Sequence, residues 1–167
     1  MEFSVPPAPP FCGQRLLSHL VDERAHANHT RPFASIPRAT RAADGYTNVS
    51  YRDFANAIDR LALWITDNIG HPERECETVV YLAPGDLRYQ IVALAAVKAG
   101  FMMFFVSPRN SLEAFRSLLD QSRATKLLTD QNGSPGVSAM LKCQQMSTYT
   151  IHLSARCSIV QKFRMSH

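Results

Sequence analysis

The order of apolar segments in the middle of this chain restricts its fold more than any other feature. Thr78–Ala83 and Phe101–Val106 are short apolar runs typical of buried strands, and Leu87–Ala99 between them is typical of a buried helix. A further helix is predicted after Ser111, and Lys126–Thr129 is predicted to be a third short strand. Connections of this length favour parallel strands joined by right-handed crossovers. The sequence therefore predicts an α/β fold of three layers, with a mostly parallel sheet and flanking helices.

The segments before this core carry weaker signals, apart from one helix. Ser50 and Asp53 resemble a capping box, apolar residues then recur with helical spacing, and Gly70 can end the helix. Leu16–Arg24 is predicted to be a short helix, and Phe33–Pro37 a short strand. The polar residues 38–48 are predicted to form turns.

The chain divides by composition into three parts. We predict a proline-rich leader at residues 1–15, a folded part at residues 16–130, and an irregular tail at residues 131–167. The 167 residues are enough for one domain with a real core.

The net charge of +4 does not indicate a nucleic-acid-binding protein. Residues 1–130 hold fourteen basic and fourteen acidic side chains, so their formal charge is zero. The excess comes from four scattered residues of the tail: Lys142, Arg156, Lys162 and Arg164. A nucleic-acid interface needs clustered basic side chains, and we predict no nucleic-acid partner.

The cysteines, the amino terminus and the hydropathy all favour a cytoplasmic protein. The four cysteines are far apart and have no histidine at zinc-site spacing, so free thiols are expected. The first ten residues lack the features of a secretory signal. The most apolar window, residues 91–106, is too short for a membrane span and is interrupted by Lys98 and Gly100. We therefore predict no membrane association.

Two loops should lie at the carboxyl edge of the sheet, where ligands bind in such folds. They are Pro84–Asp86 and Ser107–Ser111. Neither has the glycines, lysine and hydroxyl residue of a phosphate loop. Arg109 is either an anion-binding side chain or a plain loop cation, and Asp86 is either a base or a helix cap.

Other candidates for chemistry have structural interpretations. Asn132–Gly136 is read as a flexible linker, and His26 with His29 lacks the acidic partner of a helical zinc site. Trp64 and Met102-Met103 are expected in the core. We assign no catalytic, cofactor-binding or metal-binding residue.

Three stretches, in this order and separation, are similar to the early part of the adenylation domain of fungal NRPS-like adenylate-forming reductases. They are Asp86–Tyr89, Ala95–Gly100 and Ser107–Ser111. Val49–Phe54 is similar to the first core motif of the wider superfamily, and Lys98-Ala-Gly100 to its second. This superfamily includes AMP-forming acyl-CoA synthetases, NRPS adenylation domains and luciferase, and the resemblance covers roughly residues 16–130.

The resemblance implies ATP- and Mg²⁺-dependent activation of a carboxylic acid to an acyl adenylate, which is passed to a carrier-protein thiol. Four elements of the family have no counterpart in this sequence: the phosphate loop, the aromatic-Thr-Glu segment, the ribose-binding Asp and the C-terminal lysine. We therefore expect a truncated AMP-dependent synthetase domain that is inactive alone and binds no cofactor itself. Whether this chain is an enzyme is left open, and the alternative is a non-catalytic interaction module. The tail, which lacks acidic residues, is interpreted as sequence from an altered reading frame or a retained intron.

Overall fold

A computed structural model of the protein describes residues 15–38, 44–83, 85–130 and 147–151. Four helices and six strands lie within these ranges. In chain order they are α1 (Leu17–Ala27), β1 (Pro32–Pro37), β2 (Tyr46–Ser50), α2 (Tyr51–Ile69), β3 (Thr78–Leu82), α3 (Leu87–Lys98), β4 (Met102–Phe105), α4 (Leu112–Ser122), β5 (Lys126–Asp130) and β6 (Ser147–Ile151).

The main sheet is parallel and has the strand order β4-β3-β5-β6. The chain moves from β3 to β4 in one direction and from β4 back past β3 to β5 in the other. Right-handed crossovers therefore place α3 and α4 on opposite faces of the sheet. The α3 face also carries α1 and α2, and its buried side chains form the larger part of the core. The predicted three-layer α/β fold is confirmed.

A smaller antiparallel sheet of β1 and β2 precedes the core. Phe33 of β1 stacks on Phe54 of α2, with ring centroids 3.8 Å apart. Strand β1 confirms the predicted Phe33–Pro37 strand, but β2 occupies part of the segment predicted as turns. The reason is that Val49 is the only fully buried residue of β2, so its sequence lacks the apolar content of a core strand.

The helix starts follow the predicted capping residues. The Ser50 hydroxyl accepts a hydrogen bond from the Asp53 amide at 3.1 Å, and the Asp53 carboxylate accepts from the Ser50 amide at 3.3 Å. Asp86 and Ser111 cap α3 and α4 in the same way, through the amides of the second and third helical residues. Gly70 ends α2 with a φ of 91°, which favours glycine over residues with a side chain.

The burial of Met102 and the presence of strand β6 differ from the sequence prediction. Met102 was expected in the core, but it is 50% exposed because β4 lies at the edge of the sheet that the structure describes; Met103 is partly buried, and Trp64 is buried as predicted. Strand β6 lies within the tail, where no strand was predicted, and pairs with β5. The leader up to residue 14, Pro84 and the Asn132–Gly136 linker lie outside the described residues.

Candidate functional site

The carboxyl ends of β3 and β4, which lie at the same end of the parallel sheet, form the candidate site. The connection after β3 leads to the α3 face, and the connection after β4 leads to the α4 face. Ligands of α/β folds bind beyond the carboxyl ends of the parallel strands, and we refer to the space beyond the ends of β3 and β4 as the crevice. The crevice is bounded by the loop containing Asp86 and by the loop Ser107–Ser111.

Asp86 in the first loop is fully engaged by its own helix. Its carboxylate accepts from the Arg88 amide at 2.9 Å, and both of its oxygens accept from the Arg88 guanidinium at 2.5 to 2.9 Å. The Arg88 side chain is largely buried, with 11% of its surface exposed. Both carboxylate oxygens of Asp86 are therefore already occupied by donors of Arg88. The geometry therefore favours the predicted role of Asp86 as a helix cap over that of a base.

Three aromatic rings pack together behind this loop. Tyr89 stacks on Phe105 with centroids 3.8 Å apart, and the Tyr81 ring meets both of them edge to face at 5.7 and 5.9 Å. Burial raises the pKa of the Tyr89 hydroxyl above its ordinary value of 10.0. This hydroxyl therefore stays protonated at neutral pH. The rings pack the start of α3 against β3 and β4 on the α3 face of the sheet.

The second loop is a tight turn with an exposed cation. The Ser107 hydroxyl accepts from the Arg109 amide at 3.2 Å, and the Ser107 carbonyl accepts from the Asn110 amide. The Arg109 side chain is exposed, and no ion pair with it occurs among the residues the structure describes. Arg109 could meet an anion at the crevice, and Arg88, at the start of α3, is already paired with Asp86. Both interpretations of Arg109 stay open.

Within the described ranges, no group of three histidine, cysteine or acidic residues is placed to hold a metal ion. His26 Nδ1 lies 2.8 Å from the Asp22 carbonyl oxygen, one turn earlier in the same helix.

None of the helices that the structure describes is long and apolar enough to cross a membrane.

A charged cluster that sequence reasoning missed lies at the junction of α1, α2 and α3. Lys98 Nζ donates to Asp22 Oδ1 at 2.8 Å and to Asp59 Oδ1 at 2.5 Å, so the last turn of α3 is tied to both other helices. It borders a groove of about 660 Å³ that is lined by Asp22, Ala25, His26, Arg52, Ala55, Asn56, Asp59 and Lys98. The only sequence signal was a lysine at the end of a helix whose second half is otherwise apolar.

We expect Lys98→Met to destabilise the protein by about 1–2 kcal/mol, because two carboxylates lose their partner. Burial lowers the pKa of Lys98, but its hydrogen bonds to Asp22 and Asp59 and their charges raise it more, to above 10.5. A raised pKa stabilises the fold at neutral pH, and this contribution is lost as the pH rises through the folded-state value. Urea unfolding at pH 7 measures the effect. Arg52→Met, in the same groove, should change stability by less than about 0.5 kcal/mol, and equal losses in both variants would contradict the cluster's role.

Comparison with known proteins places these features in one family. The chain matches the AMP-binding enzyme family over residues 22–162. It is 36% identical over 140 residues to a carboxylic acid reductase of Neurospora crassa, which covers 83% of this chain. The chain belongs to the AMP-binding enzyme family. This confirms the family predicted from Asp86–Tyr89, Ala95–Gly100 and Ser107–Ser111.

Two further relatives are similar to the chain at lower identity. An isocyanide synthase-NRPS hybrid of Aspergillus fumigatus is 32% identical over 74% of the chain, and an adenylate-forming reductase of Serpula lacrymans is 27% identical over 74%. Among solved structures, the N-terminal domain of FACL13 from Mycobacterium tuberculosis superposes with a TM-score of 0.64 at 16% identity. That likeness covers 81% of this chain and 33% of the other. It shows that the two share a fold.

The chain spans only a small part of these relatives. It covers 13% of the Neurospora reductase, 8% of the Aspergillus hybrid and 11% of the Serpula reductase. It corresponds to an N-terminal part of the adenylation domain. The family match also runs past Asp130, where the sequence prediction ended the resemblance, and it includes β6. An unrelated tail beginning at residue 131 is hard to reconcile with that match, while the three-part division itself stays a prediction.

Proposed function

We propose that this chain is the scaffold portion of a carboxylate-adenylating domain and that it does not adenylate a substrate by itself. The observation that carries the proposal is the family match over residues 22–162, together with a crevice whose side chains bind one another. In a complete domain, an acid and ATP would react to form an acyl adenylate and pyrophosphate. The acceptor would be a carrier-protein thiol.

The described residues of the crevice do not fit Mg²⁺-ATP on their own. Asp86 is held by Arg88, Arg109 is a lone exposed cation, and the loop before α3 has a single glycine. A triphosphate needs several convergent donors and a magnesium ion needs carboxylate or hydroxyl oxygens. We therefore assign no step of the reaction to a residue of this chain. Its contribution is to hold one sheet of the domain in place through the α3 and α4 layers.

Pyrophosphate exchange tests whether the chain is inactive alone. The purified protein would be incubated with Mg²⁺-ATP, labelled pyrophosphate and a panel of aliphatic, aromatic and amino acids. We expect no exchange above the acid-free background for any member of the panel. Exchange that depends on one of the acids would refute the proposed inactivity.

A hybrid enzyme tests the scaffold role separately. The segment of the Neurospora crassa reductase that matches this chain would be replaced by residues 22–162 of this protein. We expect acid-dependent exchange to be retained within about tenfold of the parent enzyme, equivalent to about 1.4 kcal/mol in the barrier. The matched control is the same hybrid with Leu61→Asp, which places a charge in the core and should abolish exchange. A folded hybrid without exchange would count against the scaffold role.

Location and pathway follow from the same proposal. A domain that consumes ATP to activate acids suits the cytoplasm, the location predicted from the sequence. The kinship with NRPS-like reductases supports a role of the complete protein in secondary metabolism. The interaction module, our alternative from the sequence, has no support among the relatives.

A further inference from the structure

Strand β4 forms one edge of the main sheet and differs from its neighbour in burial. All five residues of β3 are buried, whereas Met102 is exposed and the other three residues of β4 are partly exposed. Met103 and Phe105 contact the core on the α3 face, and Phe104 contacts the core on the α4 face. An apolar strand that is incompletely covered on both faces is unusual for a sheet edge.

Half of the backbone groups of β4 also have no partner strand among the residues that the structure describes. The amides of Met102 and Val106 donate to the carbonyls of Glu77 and Tyr81, on the β3 side. Because successive residues of a strand direct their backbone groups to opposite sides, Met103 and Phe105 direct theirs away from β3. No described strand lies on that side.

Strand β4 is short, with four residues, but within the described part of the chain it carries no charged residue, proline or bulge that would protect a sheet edge. Natural edges carry charged residues, proline or a bulge that discourage pairing with another strand. The four residues of β4 are all apolar, and its register with β3 is continuous from Met102 to Phe105. The nearest proline, Pro108, follows the strand, so it leaves the backbone groups of Met103 and Phe105 available.

We propose that the outer edge of β4 pairs with β4 of a second copy of this chain, in an antiparallel two-fold arrangement. This inference is independent of the proposed function. A two-fold axis normal to the sheet keeps each face continuous across the dimer, so only residues of the same face can oppose each other. A register that opposes Met103 with Phe105 of the second copy meets this condition.

This register satisfies the free groups of the strand. Met103 and Phe105 of the two copies exchange four backbone hydrogen bonds, which uses every outward-directed amide and carbonyl of β4. On the α3 face, each Met103 thioether meets a Phe105 ring, a favourable sulfur–aromatic pair. On the α4 face, the two Phe104 rings meet across the axis at a non-hydrogen-bonded position, where strands approach closest. The edge is therefore complementary to itself.

The first test measures the mass of the intact chain in solution. We expect sedimentation velocity to show a concentration-dependent dimer at protein concentrations up to about 300 µM. This range is needed because an interface formed by two four-residue strands is small and therefore weak. Met102→Lys places a charge at the edge and should weaken the dimer at least tenfold, while circular dichroism stays unchanged because the side chain is half exposed. The matched control is Leu63→Lys, at a side chain of α2 that is 65% exposed. A monomer throughout, or equal dimerisation of all three proteins, would overturn the proposal.

Disulfide trapping tests the register without relying on Met102→Lys. Phe104→Cys places two thiols opposite each other across the axis, within the range of a disulfide, so oxidation should give a covalent dimer. Met102→Cys places its thiols roughly 13 Å apart in the same register, from a rise of about 3.3 Å per residue, and should not be trapped. The unaltered chain supplies the background of its own cysteines. Trapping of Met102→Cys but not Phe104→Cys would rule out the proposed register.

Discussion

Replacing Glu77 by glutamine is expected to destabilise the protein by about 3–5 kcal/mol, because it leaves a buried lysine without its counter-charge. Lys126 Nζ donates to Glu77 Oε1 at 2.6 Å, and the two side chains are only 11% and 4% exposed. The second carboxylate oxygen of Glu77 accepts from the Glu73 amide at 2.8 Å. Lys126 also lies 5.3 Å from the centre of the Phe101 ring. Urea unfolding followed by circular dichroism would give the difference in free energy.

Two controls test whether the loss of stability comes from the unpaired charge of the buried Lys126. The double variant Glu77→Gln with Lys126→Met should recover most of the loss, since a buried ion pair replaced by neutral groups of similar size is often tolerated. Glu23→Gln removes an ion pair with Arg15 in which both side chains are about half exposed, and it should change stability by less than about 1 kcal/mol. A double variant as unstable as Glu77→Gln alone would show that the lysine charge is not the cause.

The same pair predicts how stability depends on pH. Burial raises the pKa of Glu77, but the hydrogen bonds from Lys126 and the Glu73 amide and the charges of Lys126 and Arg74 together lower it below 4.5. A lowered pKa contributes stability above the unfolded-state value, and that contribution is lost as the pH falls through the folded-state value. The midpoint of thermal unfolding should therefore fall steeply below about pH 4.5 in the wild type. Glu77→Gln should show a shallower decline over the same range.

This pair also marks the limit of what the sequence could predict. Asp86 and Ser50 were predicted as caps because a cap is a local feature, set by residues two or three positions away. Glu77 and Lys126 are 49 positions apart and meet only because β3 pairs with β5 in a register that places Val79 beside Lys126. Nothing local in the sequence specifies that register. Lys98 was missed for the same reason, since Asp22 and Asp59 belong to two other helices.

The sequence also predicted some strands and missed others. Strands β3 and β5 were predicted because they are central and largely buried, so each contains buried apolar residues, Val79 to Leu82 in β3 and Leu127 with Leu128 in β5. Strand β6 reads Ser-Thr-Tyr-Thr-Ile and β2 reads Tyr-Thr-Asn-Val-Ser, and both lack such a pattern. The opposite error occurred at Met102, where an apolar run was interpreted as buried although the strand lies at an edge. Hydropathy therefore indicated the apolar strands of the main sheet, but it indicated neither the polar strands β2 and β6 nor the order of the strands.

Helix α2 offers the sharpest test of the predicted core, because two leucines two positions apart face opposite environments. Leu61 belongs to the apolar spacing that predicted this helix and is completely buried, whereas Leu63 is 65% exposed. Leu61→Ala should destabilise the protein by about 2–5 kcal/mol, from lost burial and the cavity left behind. Leu63→Ala makes the same chemical change in the same helix and should cost less than about 0.5 kcal/mol. Urea unfolding of both variants measures the contrast, and similar losses would mean that α2 does not pack on the core through the face that its periodicity predicts.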